Sequence, residues 1–512
     1  MAKKKSAKKK RAGQKKVEAH KKAVQPEPEE DKWASRRKWL IWGALIAIAI
    51  IFFALRLRNL GQLMAWDETQ LALTVKSYGH GVKDVWSSLA YIHPPLSLWI
   101  LCAVAKFFGY HVVIYKVVSI LLSFGVLCIT YLLAKRLFGH WVALLTAFCL
   151  AVLPAATVLD TWIKQDPLAD LFIVLTVYLF VRGNWKWAGV VFGLALLSKE
   201  TAVFAFVILL VYSLVLWDRK KVYRSLGVMA IGAVISFWFY AFMSVGVSHF
   251  FGIFTGGQSE GVLFKHSLPF YFTGLPVDLG WPLLIALSIG FFVCLYTVIW
   301  KRKRDYALPL IWFVVMYALF SISATKPYWV IPPAFPAIAM LCGIGIYGVA
   351  QLVRRLSPAG KRAKVPEIAF IAVFAGLLLA FGIALNYTGY NRARYPQFWD
   401  YATSVRQDAV YLKEKAGETP VIAILDEKTE NRDPVLTYYL GDTKEIALAS
   451  GILDKPDVLL EKFATPYNAQ WIYIRKGGDE MSRKTTDFFK KLGAIHYYQV
   501  TRDSKWGFTV SI

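Results

Sequence analysis

The sequence predicts an α-helical membrane protein that crosses the bilayer about eleven times and ends in a small α/β domain. Its 512 residues have a mean hydropathy of +0.44, and 56% of them are hydrophobic, which exceeds the usual share in soluble domains. The apolar residues form long charge-free runs, such as residues 39–55 and 370–385, close to the roughly 20 residues that a helix needs to cross the hydrocarbon core. From residue 391 onward the sequence is polar, and its apolar runs are short.

Residues 1–38 are basic, and we interpret them as a disordered cytoplasmic tail. The net charge of the chain is +26, and fifteen of its basic residues precede Trp39. Such a tail can contact RNA, the ribosome or anionic lipids, or it can hold the first helix with its N-terminus inside. The positive-inside rule favours the second interpretation. No small-residue cleavage site follows the first apolar run, so we expect that run to stay in the protein as an anchor.

Residues 39–390 are expected to form one transmembrane domain. The apolar piece at residues 94–108 is about 15 residues long, which is short for a crossing, and we interpret it as an interfacial or re-entrant part of a long first outer loop. The spans are then expected at residues 39–56, 111–134, 141–159, 168–182, 187–199, 201–217, 225–245, 281–300, 306–323, 329–350 and 366–387.

The basic residues between these spans predict the orientation. The inner loops carry 17 Lys and Arg residues in addition to the tail, whereas the outer segments carry nine. This bias places the N-terminus in the cytoplasm and the C-terminus outside a cell (inner) membrane. A crossing by residues 94–108 would invert every later loop, and we reject that alternative.

Residues 391–512 are predicted to form a small α/β domain on the outer face. The strand-like runs Val421–Leu425 and Trp471–Ile474 alternate with helical patterns at residues 408–415 and 486–492. No internal repeat is evident in the chain, which argues against a secondary transporter built from repeats.

The five cysteines lie in apolar stretches, and none belongs to a CxxC pair. We therefore expect buried apolar side chains rather than a disulfide framework or a thiolate metal site.

With the spans placed in this way, most of the unusual polar residues fall on the outer side. Each has a structural explanation: Asp67 and Glu68 can be a helix cap, Asp166 before Pro167 a helix start, and Lys199 with Glu200 an ion pair. Lone histidines are more often structural than metal ligands. The position of all these polar residues on one side of the membrane nevertheless favours a reaction on an anionic, lipid-linked substrate. The outer residues are Asp67, Glu68, His93, Asp160, Lys164, Asp166, Lys199, Glu200, His249, Glu260, His266, Asp278 and Lys326.

Several short motifs occur in an order that resembles the GT-C glycosyltransferases, in particular the protein O-mannosyltransferases and the bacterial aminoarabinose transferases. The resemblance covers roughly residues 39–350. The motifs are Trp66-Asp67-Glu68, His93-Pro94-Pro95-Leu96, Asp166-Pro167-Leu168, the run from Gly193 to Lys199, Pro269-Phe270-Tyr271-Phe272 with Leu279-Gly280-Trp281, and Lys326-Pro327-Tyr328 with the proline-rich residues 331–337.

The resemblance implies transfer of a sugar from a polyprenyl-phosphate donor to an acceptor on the outer face. Asp67 matches the position of the catalytic aspartate, which removes a proton from the acceptor, and Glu68 would tune or orient it. Asp166 would orient the donor or a metal ion. The departing lipid phosphate needs positive charge and hydrogen-bond donors, and the implied phosphate-binding residues are His93, Lys199, Lys326 and Tyr328. His93 stands where the aminoarabinose transferases have a lysine.

A divalent metal ion stays an open alternative, because some branches of this superfamily use one and others do not. Asp67, Asp166 and His266 are ligands of a suitable kind. The implied partners are the lipid-linked donor, a protein, glycolipid or polysaccharide acceptor, and membrane lipids, with no nucleic acid expected.

Two other functions remain as alternatives. A flippase for lipid-linked sugars, or a transporter, should place its ionisable residues near the middle of the membrane, whereas here they gather in outer loops. A glycan- or partner-binding module on a membrane anchor would not need eleven spans. The tripeptide Trp399-Asp400-Tyr401 is similar to an acceptor-binding motif of oligosaccharyltransferases, but Phe398 and Ala402 depart from that motif, and we discount the match.

Overall fold

The computed structural model of the chain describes most of the predicted transmembrane domain and five strands beyond it. The described residues are 29–62, 64, 66–78, 93–242, 266–324, 326–356, 364–384 and 387–394, the helical positions 406, 410 and 414, and the strands given below. Residues 1–28 of the basic tail, His249, Glu260 and Trp399-Asp400-Tyr401 lie outside them. The chain divides into two units, Met1–Ile51 and Phe52–Ile512, and the charged groups considered below belong to the second.

Sixteen α-helices are present in the described part of the chain. They are α1 Glu29–Leu57, α2 Trp66–Tyr78, α3 Leu96–Phe108, α4 Val112–Phe138, α5 His140–Val152, α6 Pro154–Leu159, α7 Asp166–Val181, α8 Trp185–Ser198, α9 Phe204–Val215, α10 Arg219–Phe242, α11 Phe270–Leu279, α12 Trp281–Ile299, α13 Ala307–Ile322, α14 Phe335–Leu356, α15 Lys364–Ala384 and α16 Tyr387–Arg394.

A helix lies in each of the eleven segments that were expected to span the membrane. Six helical segments of the described chain are long and apolar enough to cross a bilayer, judged by length and composition. They are Lys38–Leu57, Val112–Phe138, Arg219–Ala241, Trp281–Ile299, Arg304–Ile322 and Tyr328–Leu356. The apolar stretches of the other predicted spans are shorter than these six, so the count of eleven crossings stays a prediction.

The predicted span at residues 141–159 is interrupted at Pro154. Helix α5 ends at Val152, and the six-residue α6 begins at Pro154, because proline has no N–H to continue the ladder of hydrogen bonds. Arg56 of α1 fills the gap. Its guanidinium donates to the carbonyl of Ala151 at 2.8 Å and pairs with Asp160 Oδ2 at 2.7 Å. Asp160 therefore has a structural role.

Helix α14 lies at the centre of the described helices, and its residues 335–346 are all buried. Its glycines permit close backbone contact with two neighbours. A Cβ atom on Gly345 would lie 2.2 Å from the carbonyl oxygen of Ala286 in α12, and one on Gly343 would lie 2.6 Å from Oγ1 of Thr146 in α5. Small residues at helix interfaces are the usual means of tight packing between membrane helices.

Two short helices occur in the predicted first outer loop. The helix-like spacing at residues 69–78 corresponds to α2, which begins at Trp66. The apolar piece at residues 94–108 corresponds to α3, which has 13 residues and begins after Pro95. Helix α3 packs on α2 and on α8, and Ser97 Oγ donates to the carbonyl of Ser198 at 3.4 Å.

The polar region contains a five-stranded mixed sheet. Its strands are β1 Val421–Leu425, β2 Lys444–Ala447, β3 Trp471–Ile474, β4 His496–Gln499 and β5 Phe508–Ser511. Their order is β2-β1-β3-β5-β4. The first three are parallel, with Ile422 opposite Lys444 and Ile472, and β5 is antiparallel to β3 and β4. The two strands proposed from the sequence are present, whereas the residues between strands lie outside the described part, so the α/β domain stays a prediction.

All five cysteines have free thiols. Cys149, Cys294 and Cys342 are buried, and Cys102 and Cys128 are half-buried. They contact the apolar helices and take no part in the charged groups described next.

Candidate active site

Asp67 lies in the first turn of α2 and forms an ion pair with Lys164. The distance from Asp67 Oδ2 to Lys164 Nζ is 2.7 Å. Lys164 in turn lies over the rings of Trp162 and Trp329, at 4.6 and 4.3 Å from their centroids, an arrangement that favours its charged form. Burial raises the pKa of Asp67 but the charge of Lys164 lowers it, and the net pKa lies below its ordinary value. Asp67 is therefore ionised at neutral pH.

Glu68 is fully buried beside this pair. Its Oε1 accepts a hydrogen bond from the backbone N–H of Ile163 at 3.0 Å. This contact fixes the first turn of α2 against residues 160–165, the segment that carries Lys164.

A second pair, Asp166 and Lys199, joins the start of α7 to the end of α8. Lys199 Nζ donates to Asp166 Oδ1 at 2.5 Å, and both side chains are buried. Asp166 precedes Pro167 in the first turn of α7, where a carboxylate also interacts favourably with the helix dipole.

The third pair is His93 with Glu200. His93 Nδ1 lies 3.1 Å from Glu200 Oε1, and the side chains are 26% and 4% exposed. Burial lowers the pKa of His93, but Glu200 raises it by charge and hydrogen bonding, and the net pKa lies above its ordinary value. The expected structural pairing of Lys199 with Glu200 is thus replaced by pairing of Lys199 with Asp166 and of Glu200 with His93.

Lys326 and Tyr328 lie before α14 and bind groups other than carboxylates. Lys326 Nζ donates to the carbonyl of Ser323 at 2.6 Å, and Lys326 is 6% exposed. No carboxylate of the described residues lies within ion-pair distance of Lys326. The Tyr328 hydroxyl donates to Asn391 Oδ1 at 2.8 Å, and its ring meets the edge of Trp162 at 6.0 Å.

A further charged group surrounds Asp278 at the end of α11. Asp278 Oδ1 lies 3.1 Å from Arg394 Nε and accepts a hydrogen bond from the Tyr390 hydroxyl at 2.9 Å. The guanidinium of Arg394 lies 4.4 Å from the ring centroid of Phe270, on which His266 stacks at 4.0 Å. Burial raises the pKa of Asp278 to about 6, although Arg394 and Tyr390 oppose this effect.

Comparison with known proteins shows which families and solved structures this chain is similar to. Residues 92–244 match the family described as dolichyl-phosphate-mannose-protein mannosyltransferase. A relative, the undecaprenyl phosphate-alpha-4-amino-4-deoxy-L-arabinose arabinosyl transferase 1 of Pseudomonas fluorescens (strain Pf0-1), is 25% identical over 345 residues, which are 60% of this chain and 57% of that protein. The match thus covers less than two thirds of the relative.

Two solved structures share the fold. ArnT from Cupriavidus metallidurans bound to undecaprenyl phosphate has a TM-score of 0.61 and 18% identity, with 93% of this chain and 98% of that chain covered. The oligosaccharyltransferase of Archaeoglobus fulgidus in complex with Zn and sulfate has a TM-score of 0.53 and 14% identity, with 84% and 68% covered. The chain has the GT-C glycosyltransferase fold. It is a multi-pass membrane protein, and the resemblance drawn from its sequence motifs is confirmed.

Within this GT-C fold, most residues that the sequence singled out lie in two groups. Asp67 is influenced by the charges of Lys164, His93 and Lys199, so these residues share one group with their carboxylate partners. Lys326 and His266 lie near α11 and α16, and Tyr328 is influenced by charges of both groups, Glu68 and Asp67 in one and Arg394 and Asp278 in the other. The rings of Trp162 and Tyr328 connect the two groups.

The three proposed metal ligands are not arranged as one ligand set. Asp67 and Asp166 each bind a lysine, and His266 stacks on Phe270. Among the residues that the structure describes, no group of three or more His, Cys, Asp or Glu side chains is placed to hold an ion. These three side chains therefore do not fit a metal ion as proposed.

Sequence reasoning missed Lys164 as the partner of Asp67, and it missed Arg394. Lys164 was visible as a basic residue two positions before Asp166, but only the fold shows that it reaches a carboxylate 97 residues earlier. Arg394 was assigned to the C-terminal domain, whereas α16 packs on α6 and α11 of the helical part. No local sequence signal indicates that contact.

Proposed function

We propose that this protein is a membrane glycosyltransferase that moves a sugar from a polyprenyl-phosphate donor to an acceptor hydroxyl, with Asp67 as the general base. The proposal depends on the exposure of Asp67. The Asp67 side chain is 42% exposed, whereas Glu68 is fully buried and the side chains of Asp166 and Glu200 are 6% and 4% exposed. A substrate can therefore reach Asp67, while the other carboxylates hold the surrounding cations.

The proposed reaction is a direct displacement that inverts the anomeric carbon. The acceptor hydroxyl gives its proton to the Asp67 carboxylate while its oxygen forms a bond to C1 of the sugar. The bond between C1 and the phosphate oxygen breaks, and its electron pair stays on the lipid phosphate. Asp67 is suited to the proton transfer because it is ionised at neutral pH. No step requires a metal ion.

The lipid phosphate gains charge as the bond breaks, so nearby cations stabilise the transition state. We propose His93, Lys199, Lys326 and Tyr328 for this task, with a division of labour. Lys326 donates to a backbone carbonyl and Tyr328 to the Asn391 amide oxygen, and we propose both as direct phosphate ligands. His93 and Lys199 each bind a carboxylate, and we propose that they supply positive potential near Asp67, with Asp166 orienting Lys199 and the donor.

The donor class is supported by the relatives. One is named as an undecaprenyl phosphate-aminoarabinose arabinosyl transferase, and the ArnT structure contains undecaprenyl phosphate. We propose a lipid-linked donor of the same kind and an acceptor that is a protein, a glycolipid or a polysaccharide. The distribution of basic residues supports an extracytoplasmic site in a cell (inner) membrane, with a cytoplasmic N-terminus and with residues 391–512 outside.

The test is sugar transfer by the purified full-length protein in detergent or lipid vesicles. A radiolabelled polyprenyl-phosphate sugar is supplied, and release of the lipid phosphate is followed. Asp67→Asn should lower kcat by about 10²–10⁴-fold, because the amide cannot accept the proton. The control is Asp305→Asn, which changes an exposed carboxylate in the segment before α13 and should leave kcat unchanged.

Normal turnover by Asp67→Asn would remove the catalytic assignment. A flippase is the alternative, and it would move the labelled lipid between the leaflets of a vesicle without releasing phosphate. That result, with the same rate in the Asp67→Asn variant, would replace the transferase proposal.

A further inference from the structure

The cations of the site differ in how far their charge is already neutralised. Lys164, Lys199 and His93 each lie within 3.1 Å of a carboxylate oxygen. Around α11 the balance differs, because Arg394 pairs with Asp278, whereas Lys326 donates to the carbonyl of Ser323 and forms no ion pair with a described carboxylate. Burial and the positive charges of Arg394 and Lys326 lower the pKa of His266. This region therefore carries excess positive charge.

Arg394 is buried with unused hydrogen-bonding capacity. The residue is 8% exposed, and its Nε and Nη2 make no hydrogen bond to described residues. Its 3.1 Å contact from Nε to Asp278 is an ion pair to one oxygen, and that oxygen also accepts from Tyr390. A guanidinium can donate five hydrogen bonds, and leaving them unmade in a buried place is unfavourable. Asp278 Oδ2 likewise makes no hydrogen bond to described residues, so the guanidinium has donors left for a further acceptor.

The position of the guanidinium is fixed by its surroundings. Its Cζ lies 4.4 Å from the centroid of the Phe270 ring and would lie 2.1 Å from a Cβ atom placed on Gly274. The missing side chain of Gly274 therefore makes room for Arg394. The absence of a Cβ there and the stacking on Phe270 are independent signs that α11 is shaped around this guanidinium.

Lys326 is held near the same helix by two contacts. The Tyr271 hydroxyl of α11 donates to the carbonyl of Pro327 at 2.9 Å. The Tyr328 hydroxyl donates to Asn391, which lies one turn before Arg394 in α16. The segment 326–328 is thus tied to both α11 and α16, and the charges of Lys326 and Arg394 both act on His266.

We propose that Arg394 and Lys326 form the seat of the donor's lipid-linked phosphate, and that Asp278 holds Arg394 in place until the phosphate arrives. This inference rests on the proposed function and adds a binding residue from the chain beyond the last long apolar helix. A phosphate offers several oxygens to the planar guanidinium fork, which a single Asp278 oxygen does not satisfy. Phosphate binding would also couple the polar C-terminal region to donor occupancy through α16.

The proposal predicts opposite effects for the two members of the ion pair. Asp278→Asn removes the competitor of the phosphate, so the donor should bind more tightly. Arg394→Gln removes the ligand, so binding should weaken by about tenfold, as expected for the loss of charge-assisted hydrogen bonds. The double variant Asp278→Asn/Arg394→Gln removes both charges, so no single charge is left buried without a partner and the fold should be kept. Its binding of the donor should be about tenfold weaker than that of the unchanged protein.

The experiment measures binding of undecaprenyl phosphate to the purified full-length protein in detergent, through the fluorescence of its tryptophans. Arg392→Gln is the matched control, because Arg392 is an exposed arginine of the same helix and should bind like the unchanged protein. Lys326→Gln should weaken binding without disturbing Asp278. Inorganic phosphate is added in a parallel arm, and failure to displace the lipid at equal concentration would identify the lipid phosphate as the ligand.

The outcomes separate this inference from the proposed function. If the double variant binds undecaprenyl phosphate as tightly as the unchanged protein, Arg394 serves only to neutralise Asp278, and the inference is overturned while Asp67 chemistry stands. Displacement by inorganic phosphate at equal concentration would overturn the lipid assignment. If Asp67→Asn turns over normally but Arg394→Gln and the double variant lose binding, the phosphate seat stands and the catalytic assignment fails.

Discussion

Single residues of the site act through partners that are distant in the sequence. Asp67 meets Lys164, Asp166 meets Lys199, and Glu200 meets His93 across 97, 33 and 107 positions. Each pair joins two different loops or helix ends, so the charges both build the site and fix the segments that carry them. Breaking a buried pair by removing one partner leaves an uncompensated charge, which is strongly unfavourable. The pairs are therefore structural and electrostatic features together.

His93 makes the site sensitive to pH, because the resemblance places a lysine at this position and a histidine loses its charge nearer to neutrality. Its pKa is raised above the ordinary 6.5 by the charge and hydrogen bond of Glu200, so the imidazolium persists to higher pH than that of a free histidine and disappears as the pH rises through the raised pKa. The stabilisation from the His93–Glu200 pair is likewise present below pH 6.5 and lost on that rise. The groups whose charges act on His93 are Glu200, Lys199 and Asp67.

We expect kcat/KM of the unchanged protein to fall on the alkaline side as His93 deprotonates. His93→Lys should move that fall to higher pH, because lysine keeps its charge to about pH 10. His93→Gln should flatten the alkaline limb and lower kcat/KM at pH 6 by several-fold. The measurement is a pH profile of sugar transfer at low donor concentration. An alkaline limb that is identical in all three proteins would show that another group titrates.

The sequence singled out carboxylates and lysines that the structure brings together, but it did not predict how they pair. Asp67, Asp166 and Lys199 stood out because ionisable residues at membrane depth are costly and therefore rare. Which lysine binds which carboxylate depends on contacts between loops, and periodicity carries no information about them. Arg394 was missed for the same reason, since its contact with Asp278 spans 116 positions.

At the level of elements, the packing of α14 explains why small residues recur in the helical part. Gly345 meets backbone of α12, whereas Gly348, one turn later on the same helix, has only the Val293 side chain at 3.7 Å from a Cβ placed there. The two glycines thus form a matched pair within α14. Alanine raises helix propensity equally at both positions, by about 1 kcal/mol, so any difference between them reports packing.

We expect Gly345→Ala to destabilise the protein by about 1–3 kcal/mol, the usual effect of overpacking a well-packed interface. Gly348→Ala should be neutral or stabilising, since 3.7 Å is an ordinary van der Waals distance. The measurement is the Tm of the purified protein in one detergent, followed by tryptophan fluorescence. Equal Tm values for the two variants would mean that α12 and α14 separate easily at this point, contrary to the structure.

The break between α5 and α6 shows which element boundary could not be predicted from the sequence alone. The segment at residues 141–159 was predicted as one helix because its apolar character is continuous through Pro154. The proline signals a break or a kink, and the outcome depends on whether another group can satisfy the freed carbonyls. Arg56 does so from α1, and its own sequence position gives no hint of this contact. Pro154 thus indicates where the helix breaks, and the hydrogen bonds from Arg56 satisfy the carbonyls that the break leaves without a partner.

For the whole molecule, the proposed chemistry requires the loops that carry Asp67 and Lys326 to open to the same compartment. The bias of basic residues predicts that this compartment is outside, with residues 220 and 301 in the cytoplasm. The contacts of Trp162 with Tyr328 and of Lys164 with Asp67 are consistent with a common side, because they connect the first outer loop, the second and the segment before α14.

Orientation can be measured with single cysteines in a background from which the five native cysteines have been removed. Gly61, Leu268 and Arg392 are exposed and predicted outside, and Lys220 and Lys301 are exposed and predicted inside. A membrane-impermeant maleimide applied to intact cells should label positions 61, 268 and 392, and it should label 220 and 301 only after permeabilisation. Labelling of 61 and 268 from opposite sides would separate Asp67 from Lys326, because Gly61 lies in the predicted loop of Asp67, and Leu268 precedes α11, whose Tyr271 contacts the segment that carries Lys326. A single pocket for base and phosphate would then be impossible, since both must contact the same donor molecule.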